Sequence, residues 1–199
     1  MQLYIYYYML LSGLSHMNGV CDTGKRTSVI ESHMYSRTVQ TAAHELAHNL
    51  GADHDGEGDA KACRPEDGFI MTPHGQLYDE FTPYSRNPWI FSRCSVESFK
   101  KKLRTKSCVK IAGAVFNILE WSKFLQKQAG DVFTPDKQCR LAYGPNSQFV
   151  GTPTEDICHI LKCTKPATRQ RRRKFIFAAR GTMCGENKWC IEGRCIPKS

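Results

Sequence analysis

No apolar run in this chain reaches the roughly 18 residues that a membrane-spanning helix needs, so the sequence carries no membrane span. No two cysteines stand as C-x-x-C, which argues against zinc ribbons and thioredoxin-like redox centres. The N-x-S/T triplet is missing, so N-glycosylation lends no support to any reading. Arg-Gly-Asp is also missing, and integrin recognition through that triplet has no basis. No Lys or Arg precedes Lys25. The aromatic, apolar stretch 1–11 is therefore a poor signal peptide, without a basic flank or a clear small-residue cleavage site, and reads better as a buried strand.

What is abundant is sulfur and positive charge. Ten cysteines stand in 199 residues, an even number concentrated late in the chain. That pattern is a disulfide framework, which implies an oxidising compartment and hence secretion. The net charge of +9 owes much to Lys100, Lys101 and Lys102 and to the run 169–174. The three lysines read as a solvated helix face. The later run reads as an exposed loop that repels itself, with a basic-specific processing site or a contact for anionic polysaccharide as the sharper alternatives. Nucleic acid is a poor fit to a secreted, disulfide-rich chain.

Residues 44–55 read H-E-x-x-H-x-x-G-x-x-H-D. On a helix, His44 and His48 fall one turn apart on one face. Glu45 is rotated away from His44 and can lie beside a water instead of ligating. Gly51 falls where a helix would end on a left-handed residue, and the turn brings back His54 as a third imidazole. Three protein ligands leave a fourth position open, the mark of a catalytic zinc site. The chemistry that fits is amide hydrolysis by zinc-activated water, with Glu45 as general base and then general acid. Ser36 is a candidate cap of this helix. Val39, Ala42, Ala43, Leu46 and Leu50 form an apolar stripe opposite the histidines, expected to pack on a core. His16, His33, His74 and His159 stand outside ligand spacing and read as surface or ordinary packed residues.

The motif resembles the metzincin signature, and Asp55 directly after the third histidine resembles its adamalysin (reprolysin) branch. Residues 67–73, D-G-F-I-M-T-P, are similar to the family's methionine turn. The resemblance implies that Met71 floors the imidazoles. Farther on, Ser95 is a candidate cap for a helix burying Val96, Phe99 and Leu103, flanked by Cys94 and Cys108. This resembles the end of an adamalysin-type catalytic domain.

From Cys139 onward the composition shifts to cysteine, glycine and proline. Such a segment buries little core and depends on cross-links, each contributing roughly 2–4 kcal/mol. Residues 138–145 (Q-C-R-L-A-Y-G-P), 181–190 (G-T-M-C-G-E-N-K-W-C) and 191–195 (I-E-G-R-C) resemble the disintegrin-like region of the ADAMTS proteins. That family has eight cysteines where this chain has six, the gaps falling near Phe149 and Arg173. The resemblance implies Cys139–Cys163, Cys158–Cys190 and Cys184–Cys195 here, with Cys63–Cys94 and Cys21–Cys108 earlier in the chain. Spacing alone fixes none of these pairs.

The expected fold is α+β: the lower part of a metzincin catalytic domain (zinc helix, Met-turn, C-terminal helix), then a small disulfide-rich, loop-dominated disintegrin-like/cysteine-rich module. The expected divisions are 1–110, a helical connector 111–129 carrying Val115, Ile118, Leu119 and Leu125, and 130–199. The arrangement looks like the secreted adamalysin-type proteases of arthropod saliva and venom. Only about forty residues precede His44, whereas the family has an upper sheet there, so the chain is expected to be N-terminally truncated. The expected function is a secreted, Zn2+-dependent endopeptidase acting on extracellular-matrix or plasma proteins. The alternative is an impaired form that binds partners through its cysteine-rich region.

Overall fold

The computed structural model describes residues 13–32, 36–73, 86–110, 127–164 and 174–198. The expected strand 1–11, nearly all of the connector and most of the basic run fall outside them.

The first part is built on helix α1, Ser36–Asn49, whose middle holds the strong helix formers Ala42, Ala43, Leu46 and Ala47. The amide of Gly51 donates to His48 O and that of Ala52 to Ala47 O, both at 2.9 Å. With Gly51 at φ +102°, this is the pairing that satisfies a helix's last carbonyls through a left-handed residue. Strands β1 (Gly13–Ser15) and β2 (Ser28–Ile30) form an antiparallel ribbon with Leu14 opposite Val29. Its loop is fastened to the end of α1. Asn18 N donates to His48 O, Val20 N to Asn49 O, and Asn49 Nδ2 to Lys25 O.

One expectation about α1 is corrected. Val39 is 71% exposed and Leu46 55%, so the predicted stripe does not face a core among the described residues. The ribbon's strands of three residues each are too small to cover them. The face that packs carries Ala47, which meets Ala52 and Met71, with Ile70, Phe91 and Phe99 around them.

Helix α2, Arg93–Leu103, brings a second correction. Its cap is Ser92, whose hydroxyl accepts from Ser95 N at 3.1 Å; Ser95 lies inside the helix. The buried face runs through Ser95 and Ser98, and Phe99 packs against the Met71 cluster as expected, while Val96, expected to be buried, is exposed. Disulfide Cys63–Cys94 pins the start of α2, and Cys21–Cys108 ties the ribbon loop to the chain beyond its end.

The second part opens with the short helix α3 (Ala129–Val132) and with α4 (Pro135–Tyr143). Thr134 caps α4, and Pro135, which lacks an N–H, occupies its first turn where none is needed. Strands β3 (Leu161–Cys163) and β4 (Lys174–Ile176) pair antiparallel. Strands β5 (Met183–Gly185), β6 (Lys188–Ile191) and β7 (Arg194–Pro197) form a three-stranded meander. Disulfides join Cys139 to Cys163, Cys158 to Cys190 and Cys184 to Cys195. The core is Cys139, Ile157, Cys158, Leu161, Cys163, Ile176, Ala178, Cys184 and Cys190, so most of it is cystine. Buried Gln138 is fully used: its amide donates to Phe133 O and Thr182 Oγ1, and its carbonyl accepts from Ala179 N.

Trp89 joins the two parts. Its ring meets Phe177 edge-on at 4.7 Å between centroids and lies 5.9 Å from the buried ring of His159. Gly193 faces the same ring so closely that a Cβ would sit 2.7 Å from it. Arg86 donates to Glu192 at 2.7 Å beside this contact.

Candidate metal centre

Helix α1 places His44 and His48 one turn apart, and the turn through Gly51 returns His54 to the same point. The three Nε2 atoms form a triangle with edges of 3.1, 3.1 and 3.2 Å. Each Nδ1 is turned outward to an acceptor. His44 Nδ1 lies 2.8 Å from Ile70 O, His48 Nδ1 2.9 Å from Ala52 O, and His54 Nδ1 3.4 Å from Glu57 Oε2. Donation from Nδ1–H fixes the tautomer and leaves each Nε2 with a lone pair.

Burial favours the neutral form of His44 and His54. The pKa of His44 is lowered to about 4, chiefly by desolvation, against the Ile70 carbonyl that favours the charged form. His54 is lowered for the same first reason. Rings whose Nδ1–H groups point outward to acceptors present three Nε2 lone pairs to one another with no proton between them. Such a cluster is repulsive unless a cation sits at its centre. Nitrogens bound to zinc at about 2.0–2.1 Å with tetrahedral angles would stand about 3.3–3.4 Å apart. The observed triangle matches that, so the residues fit a zinc ion.

The surroundings hold the triangle in place. Met71 is fully buried beside Ala47 and Ala52. Asp55 N donates to Met71 O at 2.9 Å, stitching the His54 loop to the segment that carries Ile70. The Asp55 carboxylate is buried and accepts from Ser92 Oγ at 2.6 Å. Its other oxygen finds no donor among the described residues. Burial accordingly raises the Asp55 pKa, opposed by the Ser92 hydrogen bond. Glu45 is 7% exposed and desolvation raises its pKa as well. Gly13 of β1 lies directly on it: a Cβ there would come within 2.6 Å of the Glu45 side chain. The ribbon therefore walls in this carboxylate, and only glycine leaves it room.

The sequence reading named the three histidines, Glu45, Gly51, Asp55 and Met71, and the structure places all of them in this one region. It missed Ser92, Glu57 and Gly13, along with the carbonyls of Ile70 and Ala52. Glu57, three residues after His54, was open to a local argument. Ser92 is 37 residues from Asp55, and no local pattern announces that bond.

Comparison with known proteins adds to this geometry. The model of the reprolysin (M12B) family zinc metalloproteases matches residues 3–112, and that of the ADAMTS cysteine-rich domain 2 matches residues 129–196. A disintegrin and metalloproteinase with thrombospondin motifs 7 from Homo sapiens is 35% identical over 189 residues, covering 93% of this chain and 10% of that protein. Its Mus musculus counterpart is 34% identical over 187 residues, covering 94% and 10%. The Mus musculus protein of the same series with number 16 is 31% identical over 186 residues, covering 92% and 14%. The chain thus spans only about a tenth of the length of the curated relatives it matches first. With three imidazoles converging on one point and a family match across more than half the chain, this protein belongs to the reprolysin (M12B) family of zinc metalloproteases.

Proposed function

We propose that the chain is the zinc-binding portion of an extracellular endopeptidase with its cysteine-rich module attached. The observation that carries this reading is the Nε2 triangle with every Nδ1 engaged outward. His44, His48 and His54 would hold the ion. Zinc, when bound, would supply a Lewis acid for the scissile carbonyl and for water. Glu45 takes a proton from the attacking water and passes it to the departing amine. Its burial suits this shuttle, because a carboxyl whose charged form is disfavoured keeps a proton long enough to deliver it. Met71 supports the ligand helix from below, and Asp55 with Ser92 keeps the His54 loop from swinging.

Five disulfides favour an oxidising, extracellular setting, and the substrates would be proteins met there. The basic run 169–174 remains a candidate contact for anionic polysaccharide. Metal content and hydrolysis of a quenched fluorescent peptide, each measured for the native chain and for Glu45→Gln, test the reading. Glu45→Gln should retain zinc and lose about 10²–10⁴ in kcat. Equal rates for the two proteins, or cleavage that survives chelation, would refute the assignment.

A further inference from the structure

Two of the cystines in the second part crowd together. The Sγ atoms of Cys158, Cys184 and Cys195 all lie within 4.8 Å of one another, so both sulfurs of the Cys184–Cys195 bridge stand beside one sulfur of the Cys158–Cys190 bridge. Cys139 and Cys163 are outside that group. The sheet adds a second observation. Cys190 of β6 and Cys195 of β7 are directly opposite in register, yet each is bonded elsewhere. Residues opposite one another in an antiparallel pair point to the same face, with Cα atoms about 4.5–5.5 Å apart. That is inside the roughly 4.4–6.8 Å that a disulfide spans. The four half-cystines therefore have a second pairing within reach, Cys158–Cys184 with Cys190–Cys195, which asks for no re-registration of β6 and β7.

Exposure decides where such a change begins. Cys158, Cys184 and Cys190 are 0%, 2% and 2% exposed. Cys195 is partly exposed, on the edge strand β7. Disulfides exchange when a thiolate attacks one of their sulfurs, and access selects the sulfur. Of the four, Cys195 is the one a solvent-borne thiolate reaches, and its bonded partner Cys184 is the one released beside Cys158.

We propose that these four cysteines form a disulfide-exchange site opened by a small thiol of the glutathione class. The incoming thiolate attacks Cys195 Sγ and forms a mixed disulfide there; the Cys184–Cys195 bond breaks and Cys184 leaves as a thiolate. Cys184 attacks Cys158 Sγ, which lies within 4.8 Å. The Cys158–Cys184 bond forms, the Cys158–Cys190 bond breaks, and Cys190 leaves as a thiolate. Cys190 attacks Cys195 across the ladder, closes Cys190–Cys195 and returns the small thiolate. The number of disulfides is unchanged and the thiol is recovered, so no oxidant or reductant is consumed. What changes is a tie. The observed pairing fastens the turn Glu155–Cys158 to β6, the central strand. Exchange fastens that turn to β5 instead and closes the β6–β7 hairpin on itself. Nothing in this inference depends on the histidine triangle.

The test uses the full native chain, incubated at neutral pH without oxygen in a catalytic amount of reduced glutathione. The mixture is quenched in acid, cut with pepsin and mapped by mass spectrometry of its disulfide-linked peptides. Peptides joining Cys158 to Cys184 and Cys190 to Cys195 should appear together. Cys139–Cys163, Cys63–Cys94 and Cys21–Cys108 should persist, with no net gain of thiol. Cys195→Ser supplies the Cys184 thiol without any glutathione, and in that variant part of the free thiol should move to Cys190. Four results would each overturn the proposal: unchanged pairing in the native chain, scrambling that draws in Cys139 or Cys163, Cys158–Cys195 in place of Cys158–Cys184, or a free thiol confined to Cys184 in Cys195→Ser. None of these outcomes bears on whether the histidines hold zinc.

Discussion

The two parts of the molecule solve one problem, too little core, in opposite ways. The first part buries Ala47, Ala52 and Met71 in its cluster and leaves Val39 and Leu46 largely in solvent. Two disulfides hold its periphery, while its centre rests on directional contacts: carbonyls that aim histidines, a serine that anchors a buried aspartate, a ribbon laid on a carboxylate. The second part wraps its apolar residues around three cystines. The lesson is that sulfur can substitute for core anywhere in a chain, whereas a metal and its hydrogen-bonded supports order only what lies around them.

That contrast can be broken most sharply at the metal. His48→Ala should abolish zinc retention and hydrolysis, and it should lower the thermal stability of residues 36–73 while leaving 135–198 as protected from hydrogen exchange as before. Loss of protection in both parts together would show that the module is not independently held. Next in size is the cystine effect. Replacing Cys158 and Cys190 with Ala should cost about 2–5 kcal/mol, read by denaturant titration, with the metal content unchanged.

A smaller effect is expected at Ser92. Ser92→Ala removes both the α2 cap and the donor to buried Asp55. It should cost about 1–3 kcal/mol, and a zinc competition assay should register weaker retention because His54 adjoins that aspartate. The smallest effect is one of pH. Burial lowers His44 to about 4 from the usual 6.5, so the unfolded chain takes up protons at a higher pH than the folded one. Stability of the metal-free protein should therefore be intact above about pH 6.5 and decline as the pH falls toward 4. Glu45 and Asp55, whose pKa values are raised, pull the other way, so the decline belongs to the upper part of that window. A thermal midpoint that rises steadily from pH 7 to 5 would contradict this account.

The sequence made the ligand geometry legible because everything it needs is local. Two histidines four apart, a glycine that can take positive φ and a third histidine form one helix and one turn. It was less informative wherever a face had to find its neighbour. Helical period located the apolar stripe through Val39 and Leu46 but could not say what lies against it. Ser95 was the cap expected from sequence, whereas the observed cap is Ser92, whose hydroxyl also donates to Asp55, 37 residues away. The cystine pairs followed from resemblance and not from spacing. The docking of Trp89 onto Phe177 and Gly193 has no local signature at all.

Trp89 also stands next to Ile90, whose carbonyl accepts from Ile70 N at 3.1 Å, and Ile70 O in turn aligns the His44 ring at 2.8 Å. The path from the sulfur-rich half to an imidazole is thus a handful of bonds long and contains no slack side chain. The orientation of the first ligand is therefore set in part by a segment that touches the other half.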